Sequence, residues 1–190
     1  AASQRTTRIR LGHGIVPLPP AYNPTARVAE RIATLDLVSD GRVDFGTGEG
    51  SSAGERDGFL VDRTRKHEQW EGALDAITRM FVEEPFAGWE SEFFRMPPRN
   101  VVPKPLQRPH PPLWVACSRR ETIHVAARKG IGALAFSFVE PEDAGRATQD
   151  GAHPSNELVR VERFGHVVID SAVEPLEPIG VCCPRRHHDD

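Results

Sequence analysis

The chain has 190 residues, with 24 Lys and Arg against 27 Asp and Glu and a formal net charge of −3. Hydrophobic residues make up 38% and charged residues 27%, the balance of a soluble globular protein with room for one sizeable core. This charge excludes a strongly basic nucleic-acid-binding face, and no apolar run approaches the roughly 20 residues of a membrane span.

The opening stretch, AASQRTTRIRLG, is polar and carries no secretory-signal pattern. It starts without Met, a first sign of a fragment. Arg8 to Leu18 reads as a strand with Ile9, Leu11, Ile15 and Val16 as its apolar content, and Gly12 and Gly14 flank His13 near its end. Pro17, Pro19 and Pro20 stop the ladder by removing N–H donors. A helix follows, with Asn23 as cap, Pro24 in the first turn, and Val28, Ile32 and Leu35 at helical spacing. Ser39-Asp40-Gly41 ends it, with Gly41 suited to the left-handed position.

Arg42 to Gly46 is the next strand. It breaks into a loop with glycines at 46, 48, 50 and 54, where a backbone can approach a ligand closely. A longer helix is expected from Thr64 to Glu84, with Trp70, Leu74, Ile77 and Phe81 on one stripe and Pro85 closing it. Residues 85–112 hold eight prolines and read as a long insertion, with a small hairpin over Gly88 to Phe94. Leu113 to Ala116 is a continuously apolar run, as expected of a strand buried on both faces. Ser118 and Glu121 match a capping box at the start of a helix that Gly130 ends, and Gly132 to Phe138 is a further strand. Alternating strands and helices give parallel strands with right-handed crossovers. After about Glu142 the pattern is lost, and only His166 to Ile169 looks like a strand.

Three features carry candidate chemistry. The glycine loop lacks the dinucleotide fingerprint, since Ser51 stands where a third glycine is required, and it lacks the Lys-Ser/Thr pair of a P-loop. The plainer reading is a tight strand-to-helix turn. Ser118 to Thr122 combines a helix N-terminus with hydroxyls and two arginines, Arg119 and Arg120, which is an anion site or an ordinary solvated cap. His13 faces a ligand or, as is commoner, is a satisfied structural histidine. All three lie at or just after the carboxyl ends of parallel strands, where α/β folds bind ligands. No Ser/His/Asp or Cys/His triad can be placed, so no catalytic residue is assigned. His187-His188-Asp189-Asp190 reads as an ordinary terminus, so no metal site is expected. Cys117 reads as a buried thiol, and adjacent Cys182 and Cys183 make a poor disulfide framework, which suits a reducing cytoplasm.

RIRLGHGIVPLP, NPTARVAERIATLDLVSDGRVDFGTGEGSS, GF with Asp62 after it, VVPKPLQRPHPPLWVACS and ETIHVAARKGIGAL together resemble the bacterial-luciferase-like flavin monooxygenases over about residues 6–143. The resemblance implies an α/β (β/α)8 TIM-type barrel, here truncated to its third to sixth strands. It implies reduced FMN, or in some relatives a deazaflavin, acting with O2 on a small organic substrate, with a separate flavin reductase as partner. It places His13, Gly14 and Ile15 beside the flavin, often with a non-prolyl cis peptide. Thr47, Gly48 and Glu49 become a second wall, and Ser118, Arg119 and Thr122 the phosphate site. Some relatives carry a phosphate-holding Arg where Glu49 stands, so Arg119 or Arg120 must compensate here. Two domains are expected: a partial barrel over 1–143 and a tail over 144–190 that looks unlike the family, as a frameshift or truncation would produce. A half barrel has unpaired sheet edges, so the alternative expectations are a non-catalytic truncated fragment, or an interaction module that pairs through those edges with a second copy or within a hetero-oligomer.

Overall fold

The computed structural model describes residues 1–135, 160–163 and 167–170. After a short N-terminal helix α1, Ala2–Arg5, the chain enters β1, Leu11–Gly12, and β2, Val16–Pro17. Both pair in parallel with one longer strand, β3, Val43–Gly48. The single strand expected over Arg8 to Leu18 is therefore interrupted. Leu11 and Gly12 face Val43 and Asp44, whereas Val16 and Pro17 face Thr47 and Gly48. Three residues, His13 to Ile15, thus stand opposite two, which is a β-bulge. The peptides within it are trans, because the three cis bonds precede Pro85, Pro103 and Pro109.

Between β2 and β3 lies α2, Thr25–Val38, which buries Val28, Ala29, Ile32 and Ala33. Asn23 does not cap it. Its amide donates to the Pro17 carbonyl at 3.0 Å and its oxygen accepts from Arg31 at 2.9 Å, so the side chain ties the helix to β2. At the other end Asp40 and Gly41 both take positive φ, 57° and 71°. The Gly41 N–H then returns to the Asp36 carbonyl at 2.9 Å, and the chain reverses within two residues into β3.

A short helix the sequence reading did not anticipate, α3 at Ala53–Gly58, follows β3. Ser52 caps it by accepting the Glu55 N–H. Then comes α4, Lys66–Val82, inside the expected Thr64 to Glu84 span. Its stripe of Trp70, Leu74, Ile77 and Phe81 is buried as the periodicity required. Each such side chain contributes roughly 1.5–3 kcal/mol of burial. Phe45 of β3 meets Phe81 edge to face, with centroids 6.4 Å apart. The hairpin in the insertion is β4, Trp89–Glu90, with β5, Arg95–Met96. Two polar side chains beyond it fasten the insertion down. Lys104 Nζ donates to the Met80 and Glu83 carbonyls (2.7 and 2.6 Å) at the negative end of α4. Gln107 donates to both Asp36 carboxylate oxygens and to the Val43 carbonyl.

β6, Leu113–Cys117, pairs in parallel with β3, and β7, Gly132–Ala135, pairs in parallel with β6. Between them α5, Arg120–Lys129, ends on left-handed Gly130. Its N-cap is Arg119, not Ser118, and no side chain caps it, so the expected capping box does not form. β6 is also not buried on both faces: Leu113, Val115 and Cys117 are buried toward the helices, while Trp114 and Ala116 on the other face are half-buried. The remaining strands, β8 (Arg160–Arg163) and β9 (Val167–Asp170), form an antiparallel hairpin, and β9 joins β7 antiparallel. The strand expected at His166 to Ile169 thus exists, shifted by one residue. Residues 136–138 of the expected sixth strand, the rest of the tail and His187 to Asp190 lie outside the described residues.

Four parallel strand positions with helices on one face form an α/β arrangement of the (β/α)8 TIM-barrel type, incomplete among the described residues. Gly46 and Gly48 face the side away from the helices, toward Leu134 and Ala116, which is the interior side of such a barrel.

Candidate functional site

The carboxyl ends of β3 and β6 and the first turns of α4 and α5 enclose a cleft of about 320 Å³. Six of the nine residues expected at a cofactor meet there: Ile15, Gly48, Glu49, Ser118, Arg119 and Thr122. The cleft is floored by apolar atoms. The Ile15 side chain lies over Gly48, with its Cδ1 only 2.7 Å from where a Cβ on residue 48 would stand, and Ala116 adjoins it at 3.6 Å. Gly48 therefore makes room for Ile15, and both line the cleft.

The remaining three expected residues are not brought to the cleft. Thr47 is fully buried on the helix side, where its hydroxyl donates to the Trp114 carbonyl at 2.8 Å and accepts from Trp70 Nε1 at 3.1 Å. Its side chain faces away because strand residues alternate between faces. Gly14 is exposed at the bulge. His13 lines a separate cavity of about 310 Å³ with Asn23 and Arg31. Its Nδ1 is buried without a partner among the described residues. Burial, helped by Arg31, holds its imidazole below the usual histidine pKa.

Two cations that the sequence reading missed, Arg63 and Lys66, line the cleft together with Arg119. Lys66 occupies the first position of α4, the positive end of that helix, where a cation is disfavoured. A basic run at a helix start, Arg63 to His67, was the available signal. Among the described residues Glu49 is the only acidic side chain lining the cleft. Its carboxylate is 11% exposed and lies 3.3 Å from Lys66 Nζ, 2.6 Å from His67 Nδ1 and 4.0 Å from the Arg119 guanidinium. Among the described residues, three cations, one anion and three hydroxyl side chains (Ser51, Ser118 and Thr122) thus line the cleft where α5 begins uncapped, and this arrangement can hold an anion. Among the described residues no cluster of His, Cys, Asp and Glu could hold a metal ion, and no helix is long and apolar enough to cross a membrane.

Parallel strands with helices on one face define the class, a barrel-type α/β protein, and the cleft lies at the carboxyl ends of its strands. The sequence profile of the family described as luciferase-like monooxygenase matches residues 1–153, and the chain belongs to that family. Among solved structures it is similar to the monooxygenase RslO1 from Streptomyces bottropensis, with a TM-score of 0.71 and 30% identity, covering 82% of this chain and 50% of that one. It is 40% identical over 84 residues to limonene 1,2-monooxygenase of Rhodococcus erythropolis, covering 44% of this chain and 21% of that protein. It is 28% identical over 130 residues to the oxygenase component of the flavin-dependent trigonelline monooxygenase of Acinetobacter baylyi, covering 67% and 35%. The chain spans about a third of the length of the curated relatives it first matches, 35% in each case.

Proposed function

We propose that the chain forms the flavin-holding part of a cytoplasmic monooxygenase that uses reduced FMN, or a deazaflavin in its place, with O2 and a small organic substrate. A separate flavin reductase supplies the reduced flavin. The observation that carries this reading is the convergence of Arg63, Lys66 and Arg119 on a cleft floored by Ile15, Gly48 and Ala116. The donor set fits the group: cations and hydroxyls for a phosphate, and an apolar floor for a ring. When bound, the flavin supplies the redox chemistry with O2. This chain's own residues bind and orient. Arg63, Lys66 and Arg119 attract the phosphate, Ser118 and Thr122 are placed to donate hydroxyls, and Ile15 excludes water from one face of the ring.

A second reading, flavin binding without turnover, is favoured by the antiparallel β8–β9 hairpin, which stands where a parallel strand would continue a barrel. Titration of the full chain with FMN and with riboflavin, followed by flavin fluorescence, tests both. Saturable FMN binding tighter than riboflavin binding is expected. O2 uptake coupled to a flavin reductase then separates turnover from binding alone. A folded sample with no saturable flavin binding overturns the proposal.

A further inference from the structure

Glu49 puts a negative charge where an anion is to be held, and the geometry around it is specific. Its Oε1 is 2.6 Å from His67 Nδ1, while its Oε2 reaches Lys66 Nζ at 3.3 Å and Arg119 at 4.0 Å. The carboxylate therefore draws on two of the three cations that line the cleft. We propose that Glu49 is a built-in counter-ion, which occupies Lys66 and Arg119 when no anion is bound and so sets how weakly the cleft holds a phosphate-bearing ligand. This rests on the flavin-phosphate reading of the same cleft.

The sign follows from what Glu49 does and does not hold in place. Lys66 does not depend on it, because Nζ also donates to the Gly50 carbonyl at 2.9 Å. Arg119 is 65% exposed and 4.0 Å away, so Glu49 orders it little. Removing the carboxylate charge thus costs little positioning and relieves repulsion against an incoming phosphate. At the water-like dielectric of a solvent-open cleft, one unit charge about 6 Å from a dianion is worth about tenfold in affinity. His67 acts on the same balance from the other side. Its ring rests on Trp70, with centroids 5.5 Å apart, and its bond to Oε1 draws the carboxylate away from the two cations.

The test measures FMN and riboflavin dissociation constants by fluorescence for the parent, Glu49→Gln and His67→Phe. Glu49→Gln is expected to bind FMN about tenfold tighter with riboflavin unchanged, and to show a steeper loss of FMN affinity with salt. His67→Phe keeps a ring on Trp70 but frees Glu49 for the cations. It is expected to weaken FMN binding about threefold, again without affecting riboflavin. It stands as an independent variant should Glu49→Gln not fold. FMN binding by Glu49→Gln that is unchanged or weaker, or a change shared equally by riboflavin, overturns the inference. Lys66→Met and Arg119→Met separate the two levels. If they leave the FMN-to-riboflavin ratio untouched, the flavin-phosphate reading itself fails. If they lower it while Glu49→Gln does not raise it, only the counter-ion role fails.

Discussion

The backbone carbonyl of His13 stands 1.8 Å from where a Cβ on residue 46 would be. The bulge at His13 to Ile15 and the glycine at 46 are therefore one feature: the extra residue pushes a carbonyl over β3, and only a residue without a side chain lies beneath it. Gly46→Ala should destabilise the fold by about 3 kcal/mol, at the upper end for overpacking, because backbone and not a flexible side chain must move. A denaturant melt of the purified variant checks this; a loss below 1 kcal/mol would mean that the bulge is easily displaced.

Gly48 presents the milder case. A Cβ there meets the terminal methyl of Ile15 at 2.7 Å, and a side-chain end can turn away. Gly48→Ala should cost about 1–2 kcal/mol, and Ile15→Val, which removes that methyl, should recover part of it in the double variant. A double-mutant cycle reads the coupling directly. Purely additive values would show that the two residues do not share the space.

His13 titrates against the fold. Burial keeps its imidazole below the usual 6.5, so above that value both folded and unfolded chains carry it neutral. As pH falls through 6.5 the unfolded chain takes up the proton first, and stability declines. Thermal melts between pH 7.5 and 5 should show a shallower decline for His13→Gln than for the parent.

Cys117 is buried, and burial, with the nearby Glu49 charge, pushes its thiol from an ordinary 9.0 up to about 12. In a background with Cys182 and Cys183 changed to Ser, iodoacetamide at pH 8 should label the folded chain at its unfolding rate only. Stability contributed by the neutral thiol should be intact below pH 9 and erode from 9 toward 12 as the unfolded chain ionises first. Rapid labelling of folded protein would contradict the burial.

Much of the parallel core was legible because its signals are local. The α4 stripe of Trp70, Leu74, Ile77 and Phe81, the glycine ending α5 and the hairpin in the insertion all follow from spacing and turn chemistry. Tertiary choices decided the rest. Asn23 gave up its capping role to join Pro17 and Arg31, which lie close only in the folded chain. Ser118 reads as a cap by its distance from Glu121, yet the helix starts one residue later, with Arg119 in that place. α3 was overlooked although Ser52 and Glu55 carry the same spacing and do form the bond. Of the residues expected at the site, Gly48, Glu49, Ser118, Arg119 and Thr122 from the strand-end rule and Ile15 from the family resemblance line the cleft. The Thr47 side chain turns to the helix side instead, because neighbouring residues on a strand point to opposite faces. Arg63 and Lys66 come from the far side of the glycine loop and reach the cleft only through the packing of α4.

Trp70 and Trp114 stand on opposite sides of the same sheet, one fully enclosed against the helices and the other half-open toward the interior. The indole N–H of Trp70 is bonded, whereas that of Trp114 has no partner among the described residues. Besides Trp89 in the insertion hairpin, the molecule thus carries two optical gauges with different duties. Emission from Trp70 tracks whether the helical layer is seated, and emission from Trp114 tracks the interior-facing side of the sheet. With Trp89 and Trp114 both replaced by Phe, Trp70 alone should report unfolding, so the integrity of the helical layer can be watched by itself in one cuvette.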